Sequence, residues 1–347
     1  MVYVTFFATF IVAFLSVPFI RFFAFHNGAV ALPGKRHIHT HPTPKFGGIA
    51  IALSVILVSP FVFTIDRAIG SYLAASSIML LLGIVDDVRH INWKVKLVFS
   101  ILATSIIIFG AGVWIKSLGN LFGFGEIYLG LWGVPFTLFA VFGVVNAINL
   151  IDGMNGLACG VSSIAFLSFA ILASASGNET VFYISVANLG ATLGLFRYNY
   201  PKATIFMGDS GSMFLGFSLA IMAIFLTQGQ GSINPMVPVL ILGIPVFDAI
   251  RILLIRLQNS KHPFYPDRAH LHHLIYRSGL AKNKTVHKIW LLTAVMSIIA
   301  LTLHNFDDWI MFCIFILMSI SLGFFIRKLR IIKTRKNGTS KKFGIAN

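Results

Sequence analysis

Apolar runs long enough to cross a bilayer recur along the whole chain, and no single core in water could hide them all. A transmembrane helix needs about 20 predominantly apolar residues. A window of roughly 19 residues picks out about eleven candidate spans, at 2–25, 46–64, 69–86, 95–113, 131–150, 157–175, 180–197, 210–227, 236–256, 288–304 and 309–327. Of the 347 residues 57% are apolar and only 11% are Asp, Glu, Lys or Arg, where an ordinary soluble domain carries about 25% charged residues. A soluble globular core, disorder, a collagen-like rod and a disulfide scaffold are therefore excluded. The expected fold class is all-α, a polytopic integral membrane protein. Cys159 and Cys313 both lie inside apolar stretches and are expected to pack there. The first span has no basic n-region and no small-residue cleavage site, so it reads as a retained helix. No internal repeat is evident, which disfavours a transporter built from duplicated halves.

The net charge of +16 would suggest nucleic acid as a partner if it were spread evenly, but it is not. With the N-terminus outside, the loops 26–45, 87–94, 151–156, 198–209 and 257–287 and the tail after Arg327 face the cytoplasm. Counted with the adjoining helix ends, all of the 27 Lys and Arg except Arg67 and Lys116 fall on that side. The positive-inside rule predicts an outside N-terminus and a cytoplasmic C-terminus. Residues 1–330 read as one transmembrane catalytic domain and 331–347 as a basic cytoplasmic tail. The positive charge belongs beside an anionic leaflet and phosphate-bearing ligands, with no nucleic acid.

The carboxylates sharpen this. Asp66, Glu126, Glu179, Asp307 and Asp308 fall in outer loops. Asp86, Asp87, Asp152, Asp209, Asp248 and Asp267 are expected at cytoplasmic helix ends or in cytoplasmic loops, none at mid-bilayer, where a proton or ion pathway would need them. Carboxylates converging on one membrane face amid basic loops suit a divalent cation with phosphates, because Mg²⁺ takes one or two carboxylates together with phosphate oxygens and water.

Five motifs carry these residues. Gly83-Ile-Val-Asp86-Asp87 ends the third span. Helix neighbours point about 100° apart, so a division of labour is expected, one carboxylate facing the reacting phosphate and the other orienting a base or a lysine, with Lys94 as partner. Asn146-Ala-Ile-Asn149-Leu-Ile-Asp152-Gly-Met-Asn155-Gly156 holds amides that are costly in lipid unless satisfied. Phe206-Met-Gly-Asp209-Ser-Gly211 puts a carboxylate in a glycine-flanked turn at a helix start, either as a simple N-cap or as a metal ligand whose neighbouring N–H groups face phosphate. Pro266-Asp-Arg268-Ala-His270-Leu-His272-His273 invites a zinc reading, but no Cys lies nearby and the carboxylate-rich sites suit a hard, oxygen-seeking ion better. Donation to pyrophosphate by Arg268 and the histidines is favoured. The basic loop from Lys35 to Lys45, ending Phe46-Gly47-Gly48, is either topology signal with Pro/Gly punctuation or a further contact with anionic substrate.

Together the motifs resemble the polyprenyl-phosphate N-acetylhexosamine-1-phosphate transferases, in the WecA/TagO-like branch of the superfamily that includes MraY. The matching stretches are His39–Gly48, Gly83–Asp87, Asn146–Gly156, Phe206–Gly211 and Pro266–His273, in the family's order. The Asp-Arg-x-His-x-His-His form of the last is similar to the WecA/TagO pattern rather than to the His-His-His run of MraY. Asn155 stands where many members carry a second Asp, and Asn cannot act as a base.

The resemblance implies transfer of a sugar 1-phosphate, by default GlcNAc-1-phosphate, from a UDP-N-acetylhexosamine to undecaprenyl phosphate. Undecaprenyl-diphospho-sugar and UMP would be the products. It implies Asp209 and Asn149 as ligands of Mg²⁺, with Mn²⁺ as a substitute, and Asp86, Asp87, Asp152 and Lys94 as catalytic residues. Lys45, Asn155, Arg268, His270, His272 and His273 would bind substrate. The setting implied is a bacterial cytoplasmic membrane with the site facing the cytoplasm, and a homodimer is compatible. The rivals are a transporter or flippase for an anionic lipid or nucleotide sugar, and an inactive scaffold. The first lacks polar groups at intermediate depth, and the second is at odds with the retained Asp86, Asp87, Asp152 and Asp209.

Overall fold

The computed structural model describes residues 1–31, 42–229, 233–260, 262 and 269–342. The chain is helical from end to end: α1 (Val2–His26), α2 (Gly47–Val62), α3 (Arg67–Arg89), α4 (Trp93–Ile106), α5 (Gly133–Ile151), α6 (Leu157–Ser176), α7 (Glu179–Asn199), α8 (Gly208–Gln228), α9 (Met236–Ile241), α10 (Gly243–Gln258), α11 (Leu271–Arg277), α12 (Lys282–Thr302) and α13 (Asp308–Lys342). One short antiparallel pair, β1 (Val30–Ala31) with β2 (Thr43–Pro44), closes the segment before α2.

Nine helices among the described residues are long and apolar enough to span a bilayer, and two of the expected spans differ. The run at 46–64 forms only the 16-residue α2, about 24 Å of helix at 1.5 Å per residue, short of a hydrocarbon core of about 30 Å. The run at 236–256 is broken at Leu242, and α10 starts afresh at Gly243-Ile244-Pro245. Pro245 has no N–H to continue a preceding turn and is tolerated near a helix start. At the C-terminus α13 continues as helix to Lys342, past the point where a separate tail was expected. Cys159 is buried, but Cys313 is exposed. An apolar stretch in a spanning helix serves the lipid as well as the core, so Cys313 is not the packing residue that composition suggests.

The bundle is organised around α8, whose apolar stretch is 89% buried, against 17% for α13. Helices α3, α5, α2, α6 and α7 pack on it. Without a hydrophobic drive between helices in lipid, close backbone approach and polar glue do the work. On α1 the buried Thr5, Thr9, Ala13 and Val17 recur every four residues, and Thr9 and Ala13 meet Gly190 and Gly194 of α7. Deep in the bundle Tyr72 Oη lies 2.8 Å from Ser218 Oγ and accepts from Asn188 Nδ2 at 3.0 Å, joining α3, α8 and α7.

The start of α8 is the tightest junction. Gly47 and Gly48 donate their N–H groups to the carbonyls of Phe206 and Met207 (2.9 and 2.7 Å), and Phe206 N–H donates to Pro44 O at 2.7 Å. The 44–48 segment is thereby stitched alongside 206–207. At the other end of α8, Gln228 accepts from the N–H groups of Lys116 and Ser117. Lys116, and Arg67 at the start of α3, thus lie at the end of the bundle away from Asp86 and Asp209.

A Cβ on Gly48 would fall 1.9 Å from Gly211 N, whereas nothing lies within 4 Å of one on Gly143. Gly48→Ala should therefore push α2 off α8 and lower thermal stability in detergent by at least 1–3 kcal/mol, roughly the range for an overpacked core. Gly143→Ala should be neutral or stabilising by up to about 1 kcal/mol. Equal melting temperatures for the two variants would refute this packing account.

Candidate active site at one rim of the bundle

Four helix ends meet where the motifs predict a site: the C-terminal ends of α3 and α5 and the N-terminal ends of α4 and α8. Asp86 and Asp87 close α3, and both are buried. The two do point apart, and one of them pairs with a lysine. Asp87 accepts the backbone N–H groups of Asp209 at 2.9 Å and Ser210 at 3.0 Å, one on each oxygen. It therefore supplies from α3 the carboxylate that the exposed amides at the start of α8 need. Asp86 turns the other way, accepting Ile91 N–H at 2.6 Å on one oxygen and pairing with Lys96 Nζ on the other.

Lys96, rather than the expected Lys94, is thus the partner of Asp86. Lys94 is exposed, and its backbone N–H is taken by Asn92 Oδ1 as the cap of α4. The two lysines are two residues apart and so point to nearly opposite sides of the helix. Only the packing of α4 on α3 decides which faces inward.

Asp209 lies in the first turn of α8 and does not cap its own helix. Its Oδ1 accepts from Asn149 Nδ2 at 2.5 Å, and the same amide reaches Ser212 Oγ at 2.8 Å. The turn needs Gly208, whose φ of +75° suits glycine and whose Cα backs onto the Asp87 carboxylate and Lys45 O. Lys45 is half-buried beside this turn.

Asp152 follows α5. Burial pushes its carboxyl up to about 8, and the charges of Asp209 and Asp87 add to the shift. Asp209 in turn feels Asp86, so four carboxylates share one rim with Lys96 among them. This surplus of negative charge fits a cation. Among the described residues no group of three or more His, Cys, Asp or Glu could hold a metal by itself. Asp209 presents oxygen chemistry of the kind Mg²⁺ uses when phosphate oxygens and water complete its shell, and Asn149, whose Nδ2 faces Asp209 here, would add its Oδ1 with the amide turned.

The histidines arrive from the far side of the long loop. Leu271 N–H and His270 Nδ1 both lie 3.0 Å from Asp248, which is buried five residues into α10 and not at a helix end as expected. His272 is 2% exposed. Its ring lies parallel to that of His270 (6.0 Å, 10°) and 4.2 Å from that of His273. A Cβ on Gly153 would strike His272 Nε2, so the histidine loop sits directly on the Asp152 turn. Among the described residues both ring nitrogens of His272 lack a hydrogen-bond partner, and burial pulls its pKa down to about 3. It stands as a neutral imidazole, with one donor and one acceptor unused.

Asn155 is drawn elsewhere. Its Nδ2 donates to Pro201 O at 3.2 Å, tying the 152–156 turn to the segment after α7, as Asn199 Oδ1 does by accepting Gly156 N–H at 2.8 Å. This is a structural tie at a residue expected to bind substrate. Arg268, Asp267 and the 35–41 part of the basic loop lie outside the described residues. Lys96, Ser212 and Asp248 are the additions to the expected set. For Asp248 the signal was available, a carboxylate inside an apolar run.

Beside the carboxylates, a small pocket is lined by Lys96, Asn146 and Asn149 together with Met79, Leu82, Phe142 and Met213.

Comparison with known proteins agrees with the motifs. Residues 69–227 match the family described as glycosyl transferase family 4. The chain is 32% identical over 317 residues to the probable undecaprenyl-phosphate N-acetylglucosaminyl 1-phosphate transferase of Bacillus subtilis (strain 168), covering 89% of this chain and 88% of the relative. It is 32% identical over 332 residues to the undecaprenyl-phosphate alpha-N-acetylglucosaminyl 1-phosphate transferase of Yersinia pestis, covering 92% and 89%. The corresponding protein of Escherichia coli (strain K12) is 29% identical over 309 residues, covering 87% and 84%.

The neutral His272 gives a test of the site's packing. The unfolded chain takes up a proton at His272 near the ordinary value of about 6.5, and the folded protein does not until about 3. Stability should therefore fall as pH drops below about 6.5, by about 1.4 kcal/mol per pH unit from this group. Thermal unfolding in detergent between pH 7.5 and 5 should show the loss, and His272→Gln should flatten it. An unchanged slope would place His272 in a wetter setting.

Proposed function

The chain belongs to the family of undecaprenyl-phosphate N-acetylhexosamine-1-phosphate transferases, and from that premise we propose that it transfers GlcNAc-1-phosphate from UDP-GlcNAc to undecaprenyl phosphate. A phosphate oxygen of the lipid forms a bond to the β-phosphorus of the nucleotide sugar. The bond from that phosphorus to the bridging oxygen breaks, and UMP leaves. The observation that carries this reading is the meeting of Asp86, Asp87, Asp152 and Asp209 with Lys96 and Asn149 at one rim of an apolar bundle.

Charge is the main obstacle, because an anionic lipid phosphate must approach an anionic pyrophosphate. Positioning and electrostatics supply most of the catalysis in phosphoryl transfer. In our reading Asp209 and Asn149 hold Mg²⁺, with Mn²⁺ as a substitute, and the ion would supply charge neutralisation at the pyrophosphate. Lys96, steered by Asp86, faces the lipid phosphate. Asp87 holds the start of α8 so that Asp209 points into the site. No strong base is required, since a phosphate monoester with a second pKa of about 6 is mostly ionised near neutrality.

Lys96 beside Met79, Leu82 and Met213 sets a cation for the lipid phosphate next to apolar side chains. Lys45, His270, His272 and His273 lie toward the nucleotide sugar, as Arg268 does in the family reading. Asp152, at the turn on which the histidine loop sits, completes the carboxylate rim. The charge asymmetry of the loops favours a cytoplasmic site on a bacterial inner membrane. A homodimer is compatible with this reading, and nothing in the bundle favours transport.

Purified protein given UDP-GlcNAc, undecaprenyl phosphate and Mg²⁺ should release UMP, and EDTA should stop the release until Mg²⁺ is restored. Folded protein that released no UMP from any UDP-N-acetylhexosamine would overturn the proposal. Asp209→Ala should lower kcat by at least about a hundredfold, in the range seen when one preorganised electrostatic group is lost. Lys96→Met should cost at least about tenfold by the same argument, while Lys94→Met, whose side chain is exposed, should stay within about twofold. The reverse order for the two lysines would restore Lys94 to the site and remove Lys96 from it.

A further inference from the structure

Asp248 stands apart from the carboxylates of the reaction centre. It is 4% exposed, inside the apolar α10, where an ionisable group is expensive unless fully partnered. Three donors satisfy it: Arg251 Nη2 at 2.6 Å, His270 Nδ1 at 3.0 Å and the backbone N–H of Leu271 at 3.0 Å. Arg251 Nη2 also donates to Ala269 O. The carbonyl before His270, its ring and the N–H after it are thus all fastened to one turn of α10.

This fastening reaches the site through two contacts already described. Accepting from Nδ1 fixes the ring plane of His270 and leaves Nε2 as its remaining polar atom. The parallel ring of His272 follows, pressed against Gly153 and one residue from Asp152, with both of its nitrogens lacking a partner among the described residues. A buried imidazole so placed is set out for a ligand, because unpaired buried polar groups carry a real penalty.

We propose that Asp248, assisted by Arg251, is the positioning residue of the histidine loop, holding His270 and His272 where they meet the pyrophosphate and sugar of the nucleotide donor. The inference rests on the reading above that this loop binds UDP-GlcNAc. Asp248 acts through the histidines and touches no substrate. An amide at this position cannot accept from both the guanidinium and the imidazole with the strength of a carboxylate, since hydrogen bonds to an ionised acceptor are roughly twice as strong as neutral ones.

The test is a pair of substitutions made singly and together, Asp248→Asn and His270→Ala, with kcat and KM measured for each substrate. Asp248→Asn should raise KM for UDP-GlcNAc by about tenfold, the size of one charge-assisted hydrogen bond. It should leave KM for undecaprenyl phosphate within about twofold. Added to His270→Ala it should cost little more, because groups that act as one unit are not additive. Two results would overturn the proposal. One is an unchanged KM for UDP-GlcNAc. The other is a fall in kcat alone that multiplies with His270→Ala, as a loss of folded enzyme would give. If Asp248→Asn does not fold, Arg251→Gln removes the tie to Asp248 and Ala269, and the same shift in KM for UDP-GlcNAc is expected; its absence is equally decisive. A wild-type protein inactive with UDP-GlcNAc would instead count against the functional reading itself.

Discussion

One carboxylate and two backbone amides hold the site together. Asp87, buried at the end of α3, accepts the N–H groups of Asp209 and Ser210, and in a low-dielectric interior such charge-assisted bonds are strong. The junction requires close backbone contact, and glycines on three helices provide it. A Cβ on Gly48, Gly83 or Gly211 would lie within 3 Å of a neighbouring atom. Everything chemically useful follows from that contact. The direction of Asp209, its meeting with Asn149 and the position of the Lys45 segment are all set by where α8 begins.

The second constraint is charge. Asp86, Asp87, Asp152 and Asp209 feel one another, and Lys96 offsets part of their charge. A rim built this way is unfavourable when empty and favourable around a cation with phosphates. The histidine loop opposes it with a different logic, a neutral buried imidazole and a carboxylate, Asp248, that lies on the protein's own side of the loop. The carboxylates of the rim and Asp248 thus belong to separate hydrogen-bond networks.

Some of this was legible from residue order and some was not. Asp86, Asp87, Asn149, Asp152 and Asp209 could be named because polar residues at the ends of apolar runs are costly and therefore conspicuous. Lys96 could not be told from Lys94, since two basic residues two positions apart differ only in which side of α4 packs on α3. The tie of Asn155 to Pro201 could not be foreseen either, because the partner of a side-chain amide is set by the neighbour that packing brings to it. Asp248 sat in plain view inside an apolar run, but its partners lie about twenty residues on, across a loop whose path spacing alone does not give.

By itself the chain order determined a multi-span helical membrane protein, the asymmetric charge of its loops and the five polar motifs at span ends, because hydropathy and charge are local properties that a bilayer reads directly. Tertiary structure decided which of those polar groups touch: Asp87 on the start of α8, Asp86 on Lys96, Asp248 beneath the histidines, and the break that divides one expected span into α9 and α10. Those contacts join residues tens to more than a hundred positions apart. They depend on how closely two backbones can approach and which face of a helix turns inward, and both are settled only when the helices pack.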